Sequence, residues 1–204
     1  MHGITDFNPK NGRRDSLGLI KFGVSEDQTL RRYSHANTWM HHSHDGIDRL
    51  VIAPEKNHLH IMVELAKAWS GKSYLLYVLI YSRLGLHPTG RYQSRPNLSH
   101  SDIKKACSDF KTYLETDGRH HLWIASLDTS ARVVYDHHNI IYAYGDLEIY
   151  KSMLKSLDFV EGPYTVPEHH AHVFHPANDY YEDKIMSRGW AWCPLNKLDT
   201  DYKP

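Results

Sequence analysis

An uninterrupted apolar segment near the middle of the chain constrains the fold more than any other feature. The segment YLLYVLIY (Tyr74–Tyr81) is rich in branched and aromatic residues, which is typical of a β-strand. It does not alternate between apolar and polar residues, so both of its faces should be covered. It also has only about half the length that a membrane-spanning helix requires. We therefore expect this segment to form a central strand of a sheet.

The segments on both sides of this predicted strand are of helical and extended types. Residues 57–71 and 99–118 carry apolar residues at helical spacing, and each segment ends at a glycine. Three short extended runs (HHLWIASL, RVVYD and NIIYAYG) then follow one another closely, which predicts an antiparallel meander. A helix capped by Asp146 and a short helix over residues 179–187 complete the prediction.

This order of elements predicts an α+β fold. We expect a single-domain sandwich with a mixed, mainly antiparallel sheet and about four helices, packed mostly on one face. Residues 1–17 are polar and rich in turn-forming residues, so we expect a flexible N-terminal arm, and residues 18–204 form the single α+β domain. Residues 25–39 begin with Ser25 and Gln28 at capping-box spacing and predict a helix. Residues 40–48 predict a loop.

The overall composition argues against several functional classes. The chain has 24 Lys and Arg and 24 Asp and Glu residues, so its formal net charge of zero argues against a strongly basic nucleic-acid-binding surface. Its first residues contain no apolar run, so we expect neither a signal peptide nor a membrane anchor. The two cysteines, Cys107 and Cys193, have no metal-type spacing, which is typical of a protein in the reducing cytoplasm.

Histidine is unusually abundant, with 17 residues that include four adjacent pairs. The densest stretch is VPEHHAHVFHPANDYYED, residues 166–183. If residues 169–175 are extended, His170 and His172 point to one side of the chain, and His169 and His175 point to the other. One face then offers two metal ligands, and further ligands must come from elsewhere in the chain. If the segment instead forms a turn or a polyproline-like run, His169, His172 and His175 align with three-residue periodicity. The candidates for these further ligands are Asp136, His138, His42 and His44.

The second histidine-rich stretch is VVYDHHNIIY, residues 133–142. Its Asp-His-His triplet resembles the motif that names the DHH phosphoesterases, in which such residues help to hold a divalent metal. That family also has early aspartate motifs and a parallel sheet, whereas the early acidic stretch HDGID (44–48) lacks the aspartate spacing. We therefore assign no family and interpret Asp136 to Asn139 as a hairpin turn with exposed histidines at its tip. The candidate metal ligands are His170, His172, His138 and Asp136, and the candidate metal is zinc.

A polar segment, HPTGRYQSR (87–95), predicts a loop with hydrogen-bond donors suited to phosphate or carboxylate groups. Its candidate binding residues are Arg91, Tyr92 and Arg95, together with Arg119 from the later segment DGRHH. Long polar loops carry function more often than other connections do.

The sequence contains neither the HExxH pattern of zinc peptidases nor the G-x-S-x-G pattern of serine hydrolases. Aromatic residues, which often anchor protein interfaces, are frequent in the last third of the chain. Our first hypothesis is therefore a non-enzymatic cytoplasmic domain of the accessory or inhibitor type that binds another protein. The alternative is a histidine-rich protein that binds a divalent metal and acts as a metal-dependent hydrolase. A third hypothesis is an assembly that responds to pH through histidine protonation.

Overall fold

The computed structural model describes residues 19–26, 29–44, 46–196 and 199. The strands are β1 (Phe22–Glu26), β2 (Thr29–Arg32), β3 (Thr38–His44), β4 (Ile47–Ala53), β5 (Ser73–Leu79), β6 (Gly90–Gln93), β7 (His120–Ser126), β8 (Arg132–Tyr135), β9 (Ile141–Tyr144), β10 (Val160–Glu161), β11 (His170–His172) and β12 (Ala191–Cys193). The α-helices are α1 (His58–Leu65), α2 (His100–Asp109), α3 (Lys111–Thr116), α4 (Leu147–Ser156) and α5 (Asp179–Met186).

The strands form two sheets, and the predicted α+β class is confirmed. The large sheet has nine strands in the order β10-β3-β4-β9-β8-β7-β5-β6-β12, and the small sheet has the order β11-β1-β2. In the described part of the chain, β10 and β3 are the one parallel pair of the large sheet. The predicted strand at residues 74–81 is β5, which lies between β7 and β6. The predicted meander is β7-β8-β9, and it is antiparallel.

The main hydrophobic core lies between one face of the large sheet and the helices. All five helices contribute to it, for example through Met62 of α1, Tyr113 of α3 and Ile185 of α5. Alternation along the strands directs Leu50 and Ile52 of β4 into this core. On the opposite face, a smaller core contains Val51, Val134, Ile140, Tyr142 and Tyr144. The predicted placement of the helices on one face is therefore correct.

Four of the predicted helices are confirmed, and one of them is divided into two. Asp146 caps α4 by accepting hydrogen bonds from the backbone N–H groups of Glu148 and Ile149. The predicted helix over residues 99–118 is two helices, because the backbone at Phe110 leaves the helical conformation. This break brings the number of α-helices in the described residues to five. None of these helices is long and apolar enough to cross a membrane.

Two local predictions are wrong. The described residues between 25 and 39 do not form a helix, because β1 and β2 pair with each other and β1 also pairs with β11. Residues 40–48 do not form a loop, because β3 and β4 pair along their whole length. In both places, strand pairing and the burial of Phe22 and Trp39 outweigh the local capping and turn signals. The expected arm, residues 1–17, lies outside the described residues, and the division into domains stays a prediction.

Candidate metal centre

Two adjacent histidines, His137 and His138, lie in the turn between β8 and β9. The buried carboxylate of Asp136 stabilises this turn through hydrogen bonds. Oδ1 of Asp136 accepts hydrogen bonds from the backbone N–H groups of His138 (2.8 Å) and Ile140 (2.9 Å). Asn139 takes a left-handed conformation with φ of 63°, which Asn tolerates in turns. The predicted turn is thus confirmed. The expectation that its histidines are exposed is wrong, because His138 is only 7% exposed and His137 is partly buried.

The small sheet covers this turn and adds two more imidazoles. In the register of β1 and β11, Phe22 lies opposite His172 and Val24 lies opposite His170. The buried ring of Phe22 contacts the rings of His138 and His170 edge-on, with centroid distances of 5.9 and 6.2 Å. The rings of His170 and His172 both contact His138, at centroid distances of 5.0 and 4.9 Å. His170 and His172 therefore point to the same side of the strand, as alternation predicted.

Five imidazoles form one contiguous cluster. His137, His138 and His172 can each offer one nitrogen, and these three atoms lie within 4.8 Å of one another. Nε2 of His170 is 3.2 Å from Nε2 of His138, and Nε2 of His121 is 3.2 Å from Nδ1 of His137. Ligand nitrogens on a tetrahedral zinc ion with bonds of about 2.0–2.1 Å lie about 3.3–3.4 Å apart. Modest side-chain rotations would therefore bring three or four of these nitrogens to the separation of zinc ligands.

The sequence prediction included three of these histidines and missed His137 and His121. The missing information was the strand register. Leu122 of β7 lies opposite Tyr135 of β8. Extending this antiparallel register by one residue places His121 opposite Asp136. The sequence signal that could have identified this neighbourhood is a histidine pair at the start of one strand of the meander and another pair just after the next strand.

The other proposed ligands lie elsewhere. Nδ1 of His42 accepts a hydrogen bond from Nε of Arg49 (3.2 Å) on the β3-β4 hairpin. Nε2 of His175 is hydrogen-bonded to the carbonyl oxygen of Ile20 (2.9 Å). The side chain of His44 lies outside the described part of the structure. The candidate site thus consists of histidines from β7, the β8-β9 turn and β11.

Asp136 lies behind the imidazoles, where it orients one of them. Its Oδ2 is 3.4 Å from Nδ1 of His138 and 3.3 Å from the hydroxyl of Tyr142. Burial alone would raise the pKa of the Asp136 carboxyl. Its hydrogen bond with His138 and its electrostatic interactions with His138 and His121 instead hold this pKa well below its usual value. An ionised carboxylate that accepts from the far nitrogen of an imidazole is the usual support of a metal-binding histidine.

The hydrogen bonds of His138 and His170 fix where their protons lie. Nδ1 of His170 is 2.6 Å from the Pro167 carbonyl oxygen, which can only accept, so this nitrogen carries the proton. Nδ1 of His138 faces the ionised Asp136 and carries the proton for the same reason. In the neutral rings, both Nε2 atoms then present lone pairs to each other at 3.2 Å. Such a contact is unfavourable unless a proton or a metal cation lies between the two nitrogens.

Burial keeps the remaining imidazoles of the cluster neutral. Loss of solvation and the neighbouring histidines lower the pKa of His172 to about 3 and the pKa of His137 well below its ordinary value. Burial likewise lowers the pKa of His121 to about 4. Nδ1 of His172 is buried and has no hydrogen-bond partner among the described residues. Neutral imidazole is the form that binds metals, so burial keeps His172, His137 and His121 in that form near neutral pH.

The candidate binding loop is in part a strand. Arg91 and Tyr92 belong to β6, and the guanidinium of Arg91 makes two hydrogen bonds of 2.8 Å to the carboxylate of Asp199. Tyr92 is buried, and its hydroxyl donates to the Pro88 carbonyl oxygen. Arg95 lies on the surface beyond the strand. The structure therefore gives Arg91 and Tyr92 partners within the fold, and a role in ligand binding stays a prediction.

Arg119 is fully buried in an ion network that holds the segment following β11. Its guanidinium donates to Asp117 (2.7 and 3.0 Å), Asp179 (3.0 Å) and Glu182 (2.8 Å). It also donates to the carbonyl oxygen of His175 (3.2 Å), while Asp117 accepts from the N–H of the same residue (3.0 Å). Arg119 therefore ties α5 and the end of the histidine-rich segment to the large sheet, which fixes the position of β11.

Comparison with known proteins gives no further guide to the role of this cluster. No protein-family model, no curated protein and no solved structure matches the chain. The function must therefore be argued from the geometry of the cluster itself.

Proposed function

We propose that the histidine cluster binds a divalent transition metal, with Zn²⁺ as the first candidate. The proposed ligands are His138 and His170, which form the close pair, together with His137 and His172. The observation that carries the proposal is the pair of Nε2 atoms, 3.2 Å apart, whose protons are fixed on the opposite nitrogens of His138 and His170. A metal ion converts this repulsive contact into two coordinate bonds.

The donor set favours one class of metal. Imidazole nitrogens suit Zn²⁺, Cu²⁺ and Ni²⁺, whereas Ca²⁺ and Mg²⁺ require several oxygen ligands. The carboxylate nearest the cluster, Asp136, uses one oxygen on two backbone N–H groups of the turn. It therefore supports the site through His138 instead of supplying a metal ligand. Metal-dependent hydrolysis would require one coordination position for water, and this activity stays a prediction from the sequence.

A shared proton is the competing explanation of the close contact. One proton between His138 and His170 would make a charged N–H···N bond and would also remove the lone-pair repulsion. The two explanations differ in stoichiometry and in ligand set. A proton involves this pair alone, whereas a metal also involves His137 and His172, which are already within reach.

Titration of the protein without a histidine tag separates these explanations. The protein is treated with chelator, exchanged into buffer and titrated with Zn²⁺ by calorimetry. We expect one tight equivalent per chain and at least a tenfold loss of affinity in His138→Ala/His172→Ala. The control is His41→Ala/His60→Ala, which removes two exposed histidines. An absence of saturable binding, or equal affinity in both double variants, would refute the proposal.

We also propose a protein-binding surface, which one observation favours. Leu84 and Leu86 are 52% and 64% exposed in the loop after β5. This loop is fixed to α5 by an ion pair from Arg83 to Asp179 and by a hydrogen bond between His87 and Asp183. Ordered, exposed apolar side chains with a polar surround are typical of interaction surfaces.

The variant Leu84→Ser/Leu86→Ser tests this surface. It should abolish the co-purification of a specific partner and leave the melting temperature unchanged, because neither side chain contributes to a hydrophobic core. The matched control is Ile149→Ser, which changes an exposed apolar residue on α4. Retention of the partner by the loop variant would contradict a role for this surface.

A further inference from the structure

A polar cavity of about 180 Å³ lies beside the histidine cluster and is separate from it. It is bounded by the start of β1, the N-terminus of α1, the end of α3 and the β8-β9 turn. Its charged and polar lining includes Lys21, Arg32, Lys56, Glu55, Glu115, His58 and Asn139. Two of these residues are buried and carry polar groups that the fold leaves incompletely satisfied.

The first of these residues is Lys21, which is 1% exposed. Its ammonium donates to the carbonyl oxygen of Leu114 (3.1 Å) and lies 3.7 Å from the ring centroid of Tyr135. Among the described residues, no carboxylate oxygen lies within 4.0 Å of this nitrogen. Burying an ammonium group without a carboxylate partner is costly, so an anion in the cavity would relieve an existing penalty.

The second residue is His58, which is 6% exposed and stacks on Tyr135 at a centroid distance of 5.2 Å. Its Nε2 is buried and has no hydrogen-bond partner in the described part of the chain. The nearby Pro54 carbonyl oxygen can only accept, which favours the tautomer with the proton on Nδ1. Burial, with a contribution from the charge of Lys21, lowers the pKa of His58 to about 3. In this tautomer Nε2 is a lone-pair acceptor without a donor, on a ring that lines the cavity.

Three basic and two acidic side chains line the cavity. Lys21, Arg32 and Lys56 contribute positive charge, and Glu55 and Glu115 contribute negative charge. The Glu115 carboxylate is occupied at the N-terminus of α1, where it accepts from the N–H of Leu59 (2.9 Å). Anionic groups suit this environment, provided that they also supply a donor to the unpartnered imidazole.

We propose that this cavity binds a small oxyanion that carries at least one O–H group. The anionic oxygens accept hydrogen bonds from Lys21, whose ammonium carries three donors. The O–H group donates to Nε2 of His58. Hydrogenphosphate and 2-hydroxycarboxylates share this chemistry, whereas sulfate and simple carboxylates are fully deprotonated at neutral pH and lack the donor.

Calorimetric titration of chelator-treated protein with matched anions tests the proposal. Phosphate is compared with sulfate, and lactate is compared with propionate, so that each pair differs in the O–H group. We expect saturable binding of phosphate, lactate or both, and at least tenfold weaker binding of the partner that lacks the donor. Binding of phosphate alone identifies the phosphate class, and binding of lactate alone identifies the hydroxycarboxylate class. No binding by either, or equal binding within both pairs, would overturn the proposal.

Three variants connect the binding to the cavity. Lys21→Met should abolish it, and His58→Phe should reduce the preference for the anion with an O–H group while keeping the ring against Tyr135. Lys104→Met removes an exposed lysine on α2 and should bind as the parent protein does. Circular dichroism melting curves confirm that each variant is folded. Unchanged binding in folded Lys21→Met would also overturn the proposal.

Discussion

The acid sensitivity of the metal-free protein should depend strongly on His172. Burial and the neighbouring imidazoles lower its pKa in the folded protein to about 3, whereas an unfolded chain restores the ordinary value near 6.5. Below pH 6.5 the unfolded state therefore binds a proton that the folded state does not bind. The free energy of unfolding falls as the pH decreases through this range, and the loss is complete near the folded pKa.

The size of the effect follows from the same shift. Each pH unit between the two pKa values changes the unfolding free energy by about 1.4 kcal/mol, so acidification from pH 6.5 to 5 costs about 2 kcal/mol at this residue. His172→Asn removes the titrating ring. The difference in unfolding free energy between pH 7 and pH 5 should therefore be about 2 kcal/mol smaller in this variant than in the parent protein.

Urea denaturation at pH 7 and pH 5, with chelator present, measures this difference. The control variant is His60→Asn, which replaces an exposed histidine on α1. It should keep the acid sensitivity of the parent protein. The reasoning would be refuted if His172→Asn lost as much stability on acidification as the parent protein and the control.

Three further variants probe other buried charges. Asp136→Asn should weaken zinc binding about 10–100-fold in a chelator competition assay, because it removes the supporting carboxylate; an unchanged affinity would contradict this role. Arg119→Met should cost about 3–5 kcal/mol in urea unfolding, because Asp117 and Glu182 lose their buried counter-charge; a loss below about 1 kcal/mol would contradict it. The folded pKa of Lys21 is about 7 against 10.5. Lys21→Met should therefore stabilise the protein by up to about 5 kcal/mol below pH 7. The difference in unfolding free energy between this variant and the parent protein should shrink as the pH rises towards 10.5. An equal difference at pH 7 and pH 10 would contradict this reasoning.

Short sequence patterns predicted the elements that form from neighbouring residues, and the strand that is buried on both faces. The apolar run of β5, the meander β7-β8-β9 and the Asp146 cap of α4 are visible in short windows of sequence. The hairpins β1-β2 and β3-β4 are not, because their stability comes from pairing and burial at a distance. For β1 the decisive partner is β11. Gly23 of β1 lies opposite Ala171 of β11, which is almost 150 residues later in the chain. The capping signal at Ser25 and Gln28 carries no information about that pairing.

The candidate site was predictable to a similar extent. Strand alternation predicted that His170 and His172 share a face, and the turn chemistry of Asp136 predicted the hairpin that carries His138. The register of β7 with β8 and the burial of the turn beneath β1 depend on the assembled sheets. For this reason, His121 and His137 were missed, and Asp136 was predicted as a ligand although it lies behind His138.

Anomalous diffraction at the zinc absorption edge tests the central claim most directly. Crystals of the untagged protein, grown with one equivalent of Zn²⁺, should show one strong peak inside the cluster. The peak should lie about 2.0–2.1 Å from Nε2 of both His138 and His170 and from ring nitrogens of His137 and His172. A cluster without a peak, with zinc bound only at surface histidines, would contradict the proposal and would favour a shared proton between His138 and His170.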